Sequence, residues 1–271
     1  MKRILESVED VEAWCIRHQA QLPVFDSRVR VVDLDLSEDF DFDVLPDKLD
    51  LVIHFAGVTH AHDLEQYKTV NLYGTTRLAE AVQARGCQRF VYISTRCATR
   101  AAGAYGESKL SAEEELKKFS WGSLLIIRPS EIYGGGGSEG VDRLIALARR
   151  WRVTPVLFGD SNINFAPINL DDFATIVAAE IMSHSSGLKT LELCGPEDLS
   201  GAAMGWRIAR RFSALPIPLW WPLLEIFIKI AERLGMTVAA PDQLQRLTCT
   251  KTSYARTAHL IGTTRFLVDR A

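Results

Sequence analysis

Tyr105 and Lys109 stand four residues apart in the run Tyr105-Gly106-Glu107-Ser108-Lys109. On a helix that spacing puts both on one face, one turn apart, so that an ammonium can stand near a phenol. A neighbouring cation favours the phenolate and draws a tyrosine, ordinarily near pKa 10, toward use as a general acid or base. Alone, the pair equally suits a solvated helix start. Its setting adds weight. Ser94-Thr95 closes the apolar run Phe90-Val91-Tyr92-Ile93 just upstream. In an open parallel sheet, ligands bind outside the carboxyl ends of the strands. A hydroxyl at Thr95 would bridge a substrate oxygen to Tyr105, or else cap a turn. His54-Phe55-Ala56-Gly57 ends an earlier run in the same way, with small residues that let a ligand approach the backbone or simply turn the chain.

These residues need a scaffold, and short β-branched runs alternating with helical periodicity predict one of α/β class with a parallel sheet. Residues 29–34, 51–55, 89–93 and 123–127 read as strands. Residues 63–85 read as a long helix stopped by Gly86, with Leu72, Thr76, Leu78, Ala79 and Val82 at helical spacing. A further helix is expected over 105–119, its charges biased as the helix dipole prefers. The last hundred residues lose the rhythm. With neither repeat nor low-complexity linker, any substrate lobe must be woven into the core.

The chain has 271 residues, 47% hydrophobic and 24% charged, enough for one large domain or a domain with an annex. A net charge of −3 and a pI near 6.1 carry no footprint for nucleic acid. Cys15, Cys87, Cys97, Cys194 and Cys249 lack the paired spacing of metal sites, so no metal is expected; they read as buried thiols in a reducing compartment. The first residues run straight into acids without a secretion signal's apolar stretch, which points to the cytoplasm. Residues 215–231 are apolar but interrupted by three prolines and two charges, which argues against a transmembrane helix. They read as a helix opened by Pro222 and ended by Gly235, with Glu225 and Lys229 spaced to pair. The alternative for 219–234 is a face for a partner or a membrane surface.

Taken in order, Asp50-Leu51-Val52-Ile53-His54-Phe55-Ala56-Gly57, Asn71-Leu72-Tyr73-Gly74-Thr75, Phe90-Val91-Tyr92-Ile93-Ser94-Thr95, Tyr105-Gly106-Glu107-Ser108-Lys109, Arg128-Pro129 and Asn169-Leu170-Asp171-Asp172 carry a resemblance. From about Val29 onward the chain resembles the extended short-chain dehydrogenase/reductase family, in its NAD-dependent epimerase/dehydratase branch acting on nucleotide sugars. The resemblance implies a Rossmann-like doubly wound parallel sheet with a small interwoven C-terminal substrate subdomain. Residues 1–129 would form the dinucleotide-binding core and 130–271 mainly the substrate side, with segments near 165–195 returning to the core.

It also implies roles. Tyr105 would be the catalytic acid/base, Lys109 would bind the nicotinamide ribose and lower the tyrosine's pKa, and Thr95 would bond the reacting sugar hydroxyl. Asp35 would contact adenine, Ala56 and Gly57 would lie along the cofactor, and Asn71 would back the nicotinamide. Ser130, Tyr133 and the Phe165-Ala166-Pro167-Ile168 segment would meet the substrate. The cofactor implied is NAD, with NADP open, and a homodimer is left open. Asp171-Asp172 could equally cap the following helix. Gly134-Gly135-Gly136-Gly137 reads as a mobile loop rather than a phosphate loop.

Three features depart from the family pattern. A first strand at 1–5, a helix at 7–19 and a second strand at 22–26, with Asp26 facing a ribose, would follow the family's opening, but no glycine occurs before Gly57. The side chains of Glu6, Ser7 and Val8 would crowd a pyrophosphate, and Glu6, Glu9 and Asp10 would repel it. The interval from Thr95 to Tyr105, ten residues, trims the usual loop. Asn164-Phe165 stands where many sugar epimerases place an arginine toward the nucleotide phosphates. The alternative to an enzyme is therefore a non-catalytic relative serving as a binding or assembly module.

Overall fold

The computed structural model describes residues 2–7, 9–17, 26–38, 42–61, 63–137, 139–159, 164–184, 186–233, 243–249 and 259–268, with the backbone alone at 7, 17, 42, 229, 232, 243 and 244. The chain opens with helix α1 (Lys2–Ser7), strand β1 (Ala13–Arg17) and strand β2 (Val29–Asp33). Next come β3 (Val52–His54) and a long helical stretch: α2 (Glu65–Tyr67), a π-helical segment Lys68–Gly74, and α3 (Thr75–Ala84). Strand β4 (Arg89–Ile93), helix α4 (Gly103–Leu116) and β5 (Ser123–Pro129) complete the first half.

The second half runs β6 (Ile132–Tyr133), α5 (Gly140–Trp151), β7 (Val153–Phe158), β8 (Asn164–Phe165), β9 (Ile168–Asn169), α6 (Leu170–Ser183) and β10 (Gly187–Cys194). It ends with β11 (Leu199–Ser200), α7 (Gly201–Phe212), β12 (Leu215–Trp220), α8 (Trp221–Arg233), α9 (Gln243–Thr248) and β13 (Leu260–Ile261).

The main sheet is parallel, ordered β13-β10-β5-β4-β3. Its alternation is sharp, as a sheet covered on both faces requires. Phe90, Tyr92, Leu124 and Ile126 pack with Leu78, Ala79 and Val82 of α3 and Ala112 and Leu116 of α4. Val91, Ile93, Leu125 and Ile127 point the other way, onto Phe173, Val177 and Ile181 of α6. This is the expected doubly wound arrangement. A separate cluster joins α5 and α7 through Val141, Ile145, Met204 and Ile208, with Trp221 of α8 and Tyr133 of β6.

The N-terminal expectation fails. Residues 2–7 form a helix where a strand was expected, and 13–17 form a strand inside the segment expected to be a helix. The physical reason is pairing: Ala13 to Arg17 lie in parallel register with Val29 to Asp33, satisfying both ladders as a two-stranded sheet. Ile16 and Leu34 join the core that holds Val52 and Leu78. Of the expected second strand, residues 22–25 lie outside the described residues. Asp26 is held by its neighbour, receiving Arg28 Nε at 3.0 Å and Nη2 at 2.7 Å, which lowers its pKa to about 2. The expected helix after Trp220 is present as α8, but the Glu225 and Lys229 pairing falls on a side chain outside the described set.

Candidate active site

Thr95 and Tyr105 meet beyond the carboxyl end of β4. Nine residues, 96–104, carry the chain from one to the other, and the compactness of this connection depends on Gly106. A Cβ there would fall 2.4 Å from Cys97 O and 2.6 Å from Thr99 O, so only glycine lets the first turn of α4 rest on this loop. Tyr105 and Thr95 share a side-chain hydrogen bond. The Tyr105 ring stands edge-on to Tyr67, centroids 5.8 Å apart, and the Arg246 guanidinium of α9 lies 4.6 Å from its centre. Burial pushes the Tyr105 phenol up to about 12, against the pull of the Thr95 hydrogen bond and the Arg246 charge, with Cys97 and Tyr67 adding to the rise. At neutral pH the group is a protonated phenol.

Lys109 is buried one turn along α4. Its Nζ donates to Ile93 O at 3.0 Å and lies 4.3 Å from the centre of the Tyr92 ring. Burial brings this amine down to about 7, opposed by the carboxylate of Glu113. Glu113 is itself fully buried, bidentate with Arg128 at 2.9 and 2.6 Å, and accepts from the Ser94 hydroxyl at 2.5 Å. His54 ends β3 beneath the same site, bonded to Thr75 at 2.9 Å and stacked on Tyr92 at 5.6 Å. Burial, then Lys109, holds it down to about 3, an uncharged imidazole.

The loop after β3 forms the opposite wall. Asn71, buried in the π-helical segment, accepts from Val58 N at 2.8 Å, donates to Val58 O at 3.0 Å, and reaches Ser108 Oγ at 3.1 Å. Ser108 in turn donates to Tyr105 O at 2.8 Å, so Asn71 ties this loop to the start of α4. A Cβ on Gly57 would stand 2.9 Å from Asn71 Oδ1 and 3.6 Å from Lys109 Nζ. Ala56 and Gly57 are exposed at the mouth. Arg246 closes the far side by donating to Thr59 O at 2.7 Å.

The remaining predicted site residues have other neighbours. Asp35 Oδ1 accepts from Ser37 N and Oγ in a local turn. Ser130 is buried and donates its hydroxyl to Ala166 O at 2.5 Å, which fastens the Phe165–Ile168 segment to the end of β5. Tyr133 packs edge-on against Phe266, 4.9 Å between centroids, and bonds Asn169. Asp172 binds the amides of Thr263 and Thr264 at 2.7 and 2.6 Å, while Asn169 caps α6 by accepting from Asp171 N. In the glycine run, the amides of Gly134 and Gly137 donate to Asp142. The sequence reading missed Arg246, Glu113 and Tyr67. Arg246 belongs to a distant helix and carries no local signature.

A doubly wound parallel sheet of this order, with Thr95, Tyr105 and Lys109 near its carboxyl edge, defines a Rossmann-type fold. The chain belongs to the NAD dependent epimerase/dehydratase family, whose model matches residues 3–189. It is 35% identical to a ceramide reductase of Caulobacter vibrioides, the match covering 61% of this chain and 51% of that protein. It is 25% identical to a UDP-glucose 4-epimerase of Vibrio cholerae, over 69% of this chain and 65% of that one. The chain thus spans about half to two thirds of the length of these curated relatives. Its fold is shared with the UDP-glucuronic acid 4-epimerase of Bacillus cereus, solved in complex with NAD, at a TM-score of 0.65 and 21% identity, covering 80% and 81% of the two chains.

The residues present fit one half of a dinucleotide. Gly57 lies closely against Asn71, with Lys109 Nζ beyond it, and these are residues that would hold a nicotinamide ribose. A glycine-rich turn for the pyrophosphate is not found among residues 1–56.

Proposed function

We propose that this chain is an NAD-dependent oxidoreductase in which Tyr105 is the proton-transferring group, Thr95 orients the reacting oxygen, and Lys109 binds the nicotinamide ribose. The supporting observation is the convergence of Thr95, Tyr105, Lys109, Asn71 and Gly57 at one sheet edge. The bound cofactor would supply a hydride acceptor or donor. Thr95 bonds the substrate oxygen and Tyr105 exchanges the proton on it. Lys109, brought down to about 7 by burial, changes charge readily, but the expected lowering of the tyrosine by this lysine is not seen: burial raises the Tyr105 phenol, and the cation acting on it is Arg246. Arg246, over the ring face, is the cation that favours the phenolate when Tyr105 must accept a proton. Elements α5, β7, α7, β12 and α8 form the substrate side of a division near residue 129.

The substrate class on this reading is a hydroxy or carbonyl compound, a nucleotide sugar as in the UDP-glucose 4-epimerase relative. A second reading, reduction of a carbonyl, is favoured by Tyr105 being held as a phenol, ready to give its proton to a carbonyl oxygen, and by the likeness to a ceramide reductase. A binding module without turnover is favoured by the glycine-free opening.

The test is Tyr105→Phe, assayed for oxidation and reduction of nucleotide-sugar and keto-lipid substrates. Loss of turnover by about 10²- to 10⁴-fold, with cofactor binding retained, supports the catalytic role. Unchanged turnover removes Tyr105 from the chemistry. The substrate class that turns over separates the first two readings, and absence of any turnover in the unaltered protein favours the module.

A further inference from the structure

Strand β12 and helix α8 carry exposed apolar side chains. Helix α8 carries apolar side chains on both its packed and its exposed face. Trp221, Ile228 and Ala231 are buried and Leu224 packs on the α5/α7 core, whereas Leu223, Ile226, Phe227 and Ile230 are 50 to 59% exposed. These four recur at i, i+3, i+4 and i+7, one continuous stripe. Strand β12, which leads into α8, exposes Leu215 at 65%, Ile217 at 41% and Trp220 at 47%. Scattered apolar residues need no explanation; four at helical spacing along one exposed face of α8 mark an interaction surface.

The start of β12 has a charged border of one sign. Arg149, Arg150 and Arg152 end α5, Arg210 and Arg211 end α7, all five are exposed, and no acid interrupts Arg149-Arg150-Trp151-Arg152 or Arg210-Arg211-Phe212. Three of them converge on Phe212. The guanidinium of Arg149 lies 4.9 Å and that of Arg211 5.6 Å from its ring centre, and Arg152 Nη1 donates to its carbonyl at 2.5 Å. Leu215, the first exposed apolar residue of β12, donates its amide to Arg152 O at 2.6 Å. Arginine cluster and apolar strand are therefore contiguous. Among the described side chains of α8, the charged groups are Glu225, half-buried, and the exposed Arg233.

The edge of β12 argues against a protein strand as occupant. Leu215 donates toward β7, so in a parallel ladder the amide positions of residues 216 and 218 face outward, and both are prolines. An incoming strand would find no donors there. What remains is a partner that accepts tryptophan, leucine and phenylalanine on one side and anions beside them. A tryptophan-flanked apolar stripe bordered by arginines meets both demands at an anionic lipid surface, where aromatic rings sit at headgroup depth and guanidiniums meet phosphates.

We propose that the exposed face of β12 and α8, with the arginines ending α5 and α7, docks this protein on a membrane surface rich in anionic phospholipid. Among the described residues no helix is long and apolar enough to cross a membrane, and the contact proposed is a peripheral one. The full chain is floated with vesicles of phosphatidylcholine alone and of phosphatidylcholine with phosphatidylglycerol. Binding to the anionic vesicles is expected, weakened as salt rises from about 0.05 M to about 0.5 M because screening shortens the reach of the arginines. Ile226→Ser with Phe227→Ser should weaken it by at least about tenfold through lost apolar contact. Arg150→Gln with Arg211→Gln should do the same on anionic vesicles through lost charge. All four positions are exposed, and an unchanged thermal midpoint shows that each variant is folded. Failure of the unaltered chain to float with anionic vesicles overturns the proposal, as does binding that neither double variant reduces. A stable dimer that Ile226→Ser with Phe227→Ser dissociates, without vesicle binding, assigns the face to a second copy and overturns it equally.

Discussion

The two sides of the fold differ in how firmly chemistry is built into them. At the carboxyl edge of β3 and β4, each polar group is tied to another element: Asn71 to Val58 and Ser108, Lys109 to Ile93, Ser94 and Arg128 to Glu113. At the N-terminal end, β1 and β2 form a two-stranded sheet apart from the main one, with no glycine before Gly57, and Asp26 faces Arg28. On the proposed reading, proton transfer and pyrophosphate binding would be separate constructions in such a fold. Buried hydrogen-bonded networks hold the first, and backbone amides must furnish the second.

Variants can break that contrast. The largest effect on stability is expected from Arg128→Met, which leaves the Glu113 carboxylate buried opposite an apolar chain; breaking such a pair costs about 3–5 kcal/mol. Chemical denaturation measures it, and a loss comparable to that of a surface variant would mean the network holds little. Lys109 yields the next. Its amine is near 7 in the folded chain against an ordinary 10.5, so between those values the unfolded chain binds more protons and stability rises with pH. The slope reaches at most about 1.4 kcal/mol per pH unit. Denaturation midpoints from pH 7 to 10 in the unaltered chain and in Lys109→Met should show a rise that the variant flattens. The smallest effect belongs to the N-terminal side: Asp26→Asn should leave dinucleotide affinity unchanged in a binding titration, because Arg28 already holds that carboxylate. A marked loss would restore Asp26 to the cofactor site.

Where the sequence was legible, the signal was periodic. Residues 89–93 and 123–127 alternate between two covered faces, and the helices between them carry apolar stripes, so sheet, helices and the Tyr105–Lys109 turn could all be read. The first 26 residues have no such rhythm. Short apolar runs there fit helix or strand alike, and long-range pairing of Ala13–Arg17 with Val29–Asp33 decided between them. The site's supporting cast was equally hidden. Arg128 stood out beside Pro129, but its partner Glu113 looked like one more acid on a charged helix. Arg246 reaches the Tyr105 ring through tertiary packing, and nothing local to residues 243–248 announces it. Ser130 and Tyr133 occur at the expected places in the chain, yet their hydroxyls are bonded to Ala166 and Asn169.

The edge around Gly57, Asn71, Tyr105 and Lys109 is proposed to receive a nicotinamide ribose. Fluorescence titration of the purified chain with NADH, repeated on Gly57→Val, tests it most directly, since the added side chain would meet Asn71 Oδ1 at 2.9 Å. Saturable binding by the unaltered chain, weakened at least about tenfold in the variant as expected for a clash within a packed cradle, is the predicted result. No saturable binding, or equal binding by both proteins, would contradict it.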